Sequence, residues 1–228
     1  MIEPPSNQAM EVSAALAKGI ISAVPGVGGV LSELGNLFLN PLERRKQRWM
    51  TEVSAALNEI AERFAILPVE LEHDDRFTTF LYQATLAAFK THQAVKLGAL
   101  RNSLVNSVAP TQFDLDIGIQ YLRYIDELTP SHLLLLATLE EHVSSYAAFT
   151  SLEELHTALV TDSGVVLERS IMRAFLQDLE ARFLIRLGDL AELPEYATKK
   201  SMELREESAI RSIEVTAQGG NFLSFIRP

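Results

Sequence analysis

One short stretch of the chain breaks the helical spacing that its apolar residues keep almost everywhere else. In residues 182–187, RFLIRL, the apolar side chains Phe183, Ile185 and Leu187 alternate with Arg182 and Arg186, which is typical of a β-strand. Elsewhere apolar residues recur every three or four positions, as in a helix that buries one face. The sequence therefore predicts a mainly α-helical protein with a small sheet near its C-terminus.

The order of elements around that strand predicts the fold of the C-terminal part. The predicted elements are helices from Thr129, from Ser151 and over 165–181, strands over 182–187 and 210–215, and a last helix from Thr216. Thr129 followed by Pro130 is a common helix start, and Ser151 opens a capping box. Because a winged helix has this order, we predict a winged-helix-like domain with a short two-stranded β-hairpin over 129–228.

Helical spacing also predicts a helical bundle over 10–128. Asn40 and Pro41 form a typical helix start, since Asn caps the first turn and Pro lacks an N–H that would stay unpaired there. Residues 67–75 have the composition of a loop. The predicted helices after the apolar N-terminal segment cover 41–66, 76–90, 93–107 and 111–128. The apolar stripe of the last one consists of Phe113, Ile117, Tyr121, Ile125 and Leu128.

The segment 12–39 is apolar and carries only two charged residues, Lys18 and Glu33. Proline and glycine interrupt its helical spacing, so we predict two short helices folded into a hairpin. The uncharged run of 14 residues between the two charges is shorter than a membrane-spanning helix, which needs roughly 20. The break, and with it the part of the hairpin predicted to meet a membrane, consists of Val24, Pro25, Gly26, Val27, Gly28 and Gly29.

A basic run follows the hairpin, with four positive side chains in five positions: Arg44, Arg45, Lys46 and Arg48. Each basic side chain near an anionic lipid surface contributes about 1 kcal/mol. The run therefore predicts binding to an anionic membrane surface, and a solvated helix face beside a hairpin in the core is the simpler alternative. Trp49 suits a membrane interface, but it shares an apolar stripe with Val53, and we expect a core position.

No residue pattern in the chain predicts catalysis, and we expect a protein that is not an enzyme and needs no metal or cofactor. The absence of cysteine excludes disulfides and thiol chemistry. The glycine turn at 26–29 lacks the Lys-Ser/Thr ending of a phosphate-binding loop. The five histidines lack metal-ligand spacing. The pairs Asp74 with Asp75 and Asp114 with Asp116 lie in a predicted loop and at a helix start, where acidic residues are common.

Charge argues against nucleic acid as a partner. The chain has a net charge of −10, which repels a phosphate backbone at long range. Residues 131–228 carry nine basic and fifteen acidic side chains. The presumed recognition helix, 165–181, offers Arg169 and Arg173 for DNA, but acidic residues lie on the same helix.

Several stretches resemble a known family in their order. They are PLERRKQRW, KTHQAVKLGALRNSLVNS, IDELTPSHLLLLATL and VTAQGGNFLSFI. In layout over residues 40–228, the chain is similar to uncharacterised bacterial helical proteins and to the abortive-infection alpha family. The residues that match the family pattern are Leu128, Thr129, Pro130, Leu135, Leu136, Thr216, Gly219 and Phe222. The resemblance implies a bacterial origin and a link to phage defence, and it supplies no catalytic residues.

Three function classes follow. In the first, a membrane-acting effector releases the 12–39 hairpin, which straightens or forms a homo-oligomer in the bilayer. In the second, the protein is an interaction or adaptor module for a protein partner, with the hairpin in its core. In the third, it is a winged-helix DNA-binding regulator. The first residues, MIEPPSNQAMEV, lack the positive region of a secretory signal, so we expect a cytoplasmic location with association to the membrane in the first class.

Overall fold

The computed structural model describes residues 35–109, 114–143, 149, 152–187 and 213–228, with the backbone alone at 35–40 and at Val143. Over these residues the protein is mainly helical and contains one small two-stranded antiparallel sheet. The chain divides into two compact units. Unit 1 comprises Met1–Glu127 and Phe225–Pro228, and unit 2 comprises Leu128–Ser224.

Unit 1 is a helical bundle. Its described helices are α1 (Gly35–Phe64), α2 (Pro68–Glu72), α3 (Asp75–Lys90), α4 (Ala94–Asn106) and α5 (Leu115–Glu127). Helix α1 packs against α3 and α4, and α3 also packs against α5. Trp49 is fully buried, and its Nε1–H donates a hydrogen bond to the Oγ1 of Thr85 at 3.0 Å. The predicted core position of Trp49 is therefore confirmed.

Helix α1 begins earlier than the sequence predicts. The chain is already helical at Gly35, and Pro41 lies inside the helix, so Asn40 is not its cap. The fixed φ of proline suits a helix, but an interior proline lacks one backbone hydrogen bond and crowds the carbonyl four residues earlier. The helix nevertheless continues through Pro41 into the basic run. Residues 35–39 of the predicted hairpin belong to this helix. The rest of the hairpin, with the break at 24–29, lies outside the described residues.

Two further predictions for unit 1 are wrong in detail. The predicted loop at 67–75 contains α2, because Pro68 starts a turn and Glu70 accepts a hydrogen bond from the N–H of Leu67 at 2.7 Å. Ile117, expected on the inward stripe of α5, is 46% exposed. The inward face of α5 is centred on Gly118, Tyr121 and Ile125, which leaves Ile117 at its edge.

Unit 2 contains the sheet and the remaining helices in the predicted order. They are α6 (Pro130–Val143), α7 (Leu152–Ser163), α8 (Arg169–Ala181), β1 (Ile185–Leu187), β2 (Ile213–Val215) and α9 (Ala217–Ile226), whose last two residues group with unit 1. In the antiparallel sheet Ile185 pairs with Val215 and Leu187 with Ile213. Helix α6 packs against α7, α8 and β2.

The start of β1 differs from the predicted strand 182–187. The N–H of Leu184 donates to the carbonyl of Leu179 at 3.1 Å, and the N–H of Phe183 donates to that of Glu180 at 2.8 Å. This pair of bonds is a Schellman cap, whose penultimate residue takes a left-handed conformation; here Phe183 has φ 57°. Phe183 is 73% exposed instead of inward. Helix α8 likewise begins at Arg169 and not at 165, which leaves Val166 72% exposed.

The start of α9 is held against the turn before β1. Thr216 caps the helix as predicted, because its Oγ1 accepts the N–H of Gly219 at 3.0 Å. The same hydroxyl donates to the carbonyl of Phe183 at 2.6 Å. A Cβ at Gly219 would lie 2.1 Å from the carbonyl oxygen of Leu184, so only glycine permits this approach of helix and turn.

Candidate functional site

Three of the four residues of the basic run line one groove on unit 1. Arg44, Arg45 and Arg48 lie within about one turn of α1 and so share one side of the helix. With Pro41 they form one wall of a shallow cavity of about 250 Å³. Thr91, His92 and Leu97, from the α3–α4 connection and the start of α4, form the other wall. We call these seven residues the basic groove.

The arginines of the basic groove differ in how they are held. The Nη1 of Arg45 donates to the carbonyl of Phe89 at 3.3 Å, near the end of α3, and the side chain is half-buried. Arg44 and Arg48 are exposed. Lys46 does not line the groove, and its Nζ lies 3.9 Å from the Oε1 of Glu43. The structure thus separates Lys46 from the three arginines with which the sequence grouped it.

No acidic side chain lines the basic groove. Within the described part of the chain, Arg48 forms no ion pair with a carboxylate. Glu52 and Glu59, further along α1, are engaged by Arg101, with its Nη2 at 2.5 Å from Glu59 and its Nε at 4.0 Å from Glu52. The positive charge of the groove is therefore not cancelled by a carboxylate in its own wall.

The N-terminal end of α4 adds to this positive potential. Gln93, the N-cap residue, makes no side-chain capping bond, and α4 has no acidic residue in its first turn. The first N–H groups of a helix have no partner inside the helix and form the positive end of its dipole. Because Thr91 and His92 directly precede this end and line the groove, an anion bound there would lie near it.

Sequence reasoning missed the second wall of the groove. Thr91, His92 and Leu97 lie more than forty residues from the basic run in the sequence. They meet it only because α1 packs on α4. The sequence shows no motif that links the two stretches, since the pairing follows from the packing of apolar stripes on two helices.

The arginines of the alternative DNA site have other surroundings. Arg169 is the first residue of α8, and its Nη2 lies 3.2 Å from the Oε2 of Glu153 on α7. Arg173 follows one turn later and is also exposed. Glu168 occupies the N-cap position directly before Arg169 and makes no side-chain capping bond. This surface mixes both signs of charge, which does not favour a phosphate backbone.

The remaining polar residues that the sequence singled out have structural roles. Asp74 caps α3 by accepting the N–H of Arg76 at 2.8 Å, and Asp114 accepts the N–H of Asp116 at 2.8 Å. Asp114 was expected at a helix start, whereas Asp74 was expected in a loop. His132 is buried, and its Nδ1 accepts the N–H of Thr129 at 3.2 Å, which caps the start of α6.

A second cavity of about 240 Å³ lies in unit 1. Its walls combine aromatic side chains with the carboxylates of Glu70, Asp74 and Asp114. Each of these carboxylates accepts a backbone N–H at a helix start. Its acidic side chains are thus explained by helix capping alone.

The described residues show neither a metal-binding group nor a membrane-spanning helix. They contain no group of three or more side chains able to hold a metal ion. None of the helices in the described ranges combines the length and the apolar character needed to cross a bilayer. Comparisons with protein-family models, curated proteins and solved structures found no match to the chain.

Proposed function

We propose that the protein is a non-enzymatic effector that binds anionic membrane surfaces through the basic groove. The observation that carries this proposal is the grouping of Arg44, Arg45 and Arg48 in one cavity whose wall contains no carboxylate. Anionic headgroups near such a cluster gain about 1 kcal/mol for each basic side chain. Three side chains give an attraction of about 3 kcal/mol, which weakens as salt rises.

The apolar segment supplies the second part of the proposal. Helix α1 carries the basic groove and is continuous with the last residues of the predicted 12–39 hairpin. An anionic surface bound at the groove would hold that segment close to the lipid. Electrostatic attraction and apolar insertion together give stable membrane attachment, whereas either one alone is weak and reversible.

Flotation with vesicles tests the role of the groove. We expect binding to vesicles that contain phosphatidylglycerol and little binding to phosphatidylcholine alone. Combined Arg44→Gln, Arg45→Gln and Arg48→Gln substitutions should weaken binding by about tenfold or more. Lys46→Gln removes a charge from the same helix but not from the groove, and it should change affinity by less than about twofold. Thermal melting checks that each variant is folded.

The outcome that contradicts the role of the groove is a loss with Lys46→Gln that equals the loss with Arg48→Gln alone. Attraction would then follow the charge of α1 as a whole. Equal binding to neutral and anionic vesicles would remove the electrostatic part altogether.

Dye release tests the hairpin. Gly28→Ala with Gly29→Ala favours a straight helix, because each glycine costs a helix about 1 kcal/mol relative to alanine. We expect this double variant to release more dye from anionic vesicles than the unmodified protein. Lower thermal stability without dye release would contradict the membrane role and favour a hairpin in the core.

The resemblance to the abortive-infection alpha family supplies the biological setting in this proposal, which is phage defence in a bacterium. Expression of the protein should then reduce the number of phage plaques. The protein with all three groove arginines replaced by glutamine should lose that protection at equal abundance. Protection that survives the loss of the groove would separate phage defence from membrane binding.

A protein-interaction module is the second candidate, and the surface of unit 2 favours it. We interpret unit 2 as winged-helix-like, supported by its order of three helices and two antiparallel strands. Phe183 is 73% exposed and is held in a left-handed conformation, which is an unusual place for a large apolar side chain. If this surface joins copies of the chain, Phe183→Ser should lower the mass measured by light scattering. An unchanged mass would argue against self-association there.

A further inference from the structure

We infer that the basic groove recognises a terminal phosphate monoester and not negative charge in general. This inference rests on the proposed function and names the chemical group that the groove selects. Two sources carry that group: a lipid whose headgroup ends in phosphate, and a phosphorylated small molecule in water. The chemistry is shared, because in both a phosphorus atom is linked to the rest of the ligand through one oxygen.

The number and type of donors support a phosphate ligand. Arg44 and Arg48 are exposed, and a guanidinium presents paired N–H groups that match two phosphate oxygens at once. Arg45 is held by the carbonyl of Phe89 through a single Nη1 contact. Since a guanidinium has five N–H donors, Arg45 keeps others for a ligand. Guanidinium groups thus line one wall of the cavity.

The opposite wall adds donors of a different kind. His92 lines the cavity, and the N-terminal end of α4 begins two residues later without a side-chain cap at Gln93. Phosphate binds well at helix N-termini because the N–H groups and the dipole both favour an anion. The arginine wall and the helix end are independent features of the fold, and the groove brings them together.

The excess of positive charge favours a monoester over a diester. A phosphate monoester carries a charge of about −1.5 to −2 at neutral pH and offers three terminal oxygens. A diester carries one negative charge and offers two such oxygens, so it would leave part of the guanidinium array unused. With Arg44, Arg45 and Arg48 in one cavity whose lining contains no carboxylate, the more highly charged group fits the groove better.

Two pairs of matched probes test the selectivity. The membrane pair consists of phosphatidylcholine vesicles containing phosphatidic acid and vesicles containing phosphatidylglycerol, adjusted to the same zeta potential. The soluble pair is monomethyl phosphate and dimethyl phosphate, compared at equal ionic strength by the shift of the melting temperature. We expect binding to phosphatidic acid vesicles to be about tenfold tighter, and stabilisation by the monoester but not by the diester.

Substitutions link the selectivity to the groove. Arg44→Gln with Arg48→Gln should abolish the preference for the monoester in both pairs. Arg63→Gln is the control on the same helix, because it removes one charge outside the groove, where Arg63 contacts Glu59 at 2.8 Å. It should leave the preference intact. Melting of each variant without added probe shows whether it is folded.

The outcomes separate this inference from the proposed function. Equal binding within both pairs overturns the inference, while binding to both kinds of anionic vesicle leaves the proposed function standing. Selective stabilisation by monomethyl phosphate without binding to any vesicle supports the inference with a soluble ligand and overturns the membrane proposal. Preference for phosphatidic acid that persists in the Arg44→Gln, Arg48→Gln variant overturns the assignment to the groove.

Discussion

Each unit carries two arginines one helical turn apart, and their surroundings differ. In unit 1, Arg44 and Arg48 line a cavity without carboxylates. In unit 2, Arg169 forms an ion pair with Glu153 at 3.2 Å, and Arg173 follows on the same mixed-charge helix. Helical spacing identifies arginines that share a face, but the residues packed around that face decide whether an anion is attracted. On this basis we propose that the anion-binding site lies on unit 1.

The units also differ in which atoms lie close to a tightly packed glycine in each of them. In unit 1, a Cβ at Gly118 would lie 3.1 Å from the ring edge of Phe80. In unit 2, a Cβ at Gly219 would lie 2.1 Å from a backbone carbonyl oxygen. A ring can shift to accept a methyl group, whereas a backbone held between a helix end and a strand cannot. The packing around Gly219 in unit 2 therefore tolerates a larger residue less well than the packing around Gly118 in unit 1.

The largest expected effect is that of Gly219→Ala, which should destabilise unit 2 by about 3 kcal/mol through overpacking. Gly220→Ala is the neighbouring control in α9, because its Cβ would meet nothing closer than 3.8 Å. That substitution should be neutral or slightly stabilising. Hydrogen exchange of the unit 2 amides measures the change in stability that each substitution causes. If the two alanines had equal effects, the close approach at Gly219 would not limit stability.

The next effect concerns the buried hydrogen bond of unit 1. Thr85→Val removes the acceptor of the Trp49 Nε1–H at nearly constant volume. A buried donor without a partner should lower the free energy of unfolding by about 1–2 kcal/mol. Trp49 is the single tryptophan of the chain, so its fluorescence during urea unfolding reports on unit 1. Thr51→Val, at an exposed position of α1, should change little. An equal loss at Thr51 would contradict the role of the buried bond.

A smaller effect compares two helix endings that each contain a residue in the left-handed conformation. Ala65 after α1 and Phe183 after α8 both have positive φ, 56° and 57°. Glycine takes this conformation without the steric cost that other residues meet. Ala65→Gly and Phe183→Gly should each raise the free energy of unfolding of their unit by about 0.5–1 kcal/mol. A loss at Phe183 alone would indicate that its exposed ring makes contacts that stabilise unit 2.

The smallest expected effect is a pH dependence in unit 1. The hydrogen bond from Arg63, with further help from Arg101, lowers the pKa of Glu59 against the opposing effect of burial. Because this pKa is lower in the folded protein than in the unfolded chain, the ionised Glu59 stabilises the fold at pH values above its unfolded pKa. That stabilisation is lost as the pH falls through the folded pKa. Glu59→Gln should cost a few tenths of a kcal/mol at neutral pH and nothing in strong acid. Glu62→Gln, exposed on the same helix, is the control. A cost at Glu59 that does not change with pH would contradict this account.

Much of the fold follows from apolar spacing and helix caps. The mainly helical class, the small sheet, the core position of Trp49 and the cap at Thr216 were all predicted. These features depend on residues close to one another in the sequence. Periodicity and capping encode such local preferences directly.

The rest depends on contacts between distant residues or on competing local energies. Pro41 did not stop α1, although an interior proline costs a helix about 3 kcal/mol, because the packing of this helix against α3 and α4 is a contact between distant residues that helical spacing does not reveal. Phe183 matched the alternation of a strand, but the turn after α8 directs it outward. The basic run was evident in the sequence, whereas the wall formed by Thr91, His92 and Leu97 required the packing of α1 on α4.

The most direct test of the central claim compares charge-matched variants of the two arginine pairs. Arg44→Gln with Arg48→Gln and Arg169→Gln with Arg173→Gln each remove two positive charges. Binding to phosphatidic acid vesicles is measured for both at low and at physiological salt. The account predicts a loss of about tenfold or more for the unit 1 pair and less than about twofold for the unit 2 pair. Equal losses, or a larger loss for the unit 2 pair, would contradict the assignment of anion binding to the basic groove.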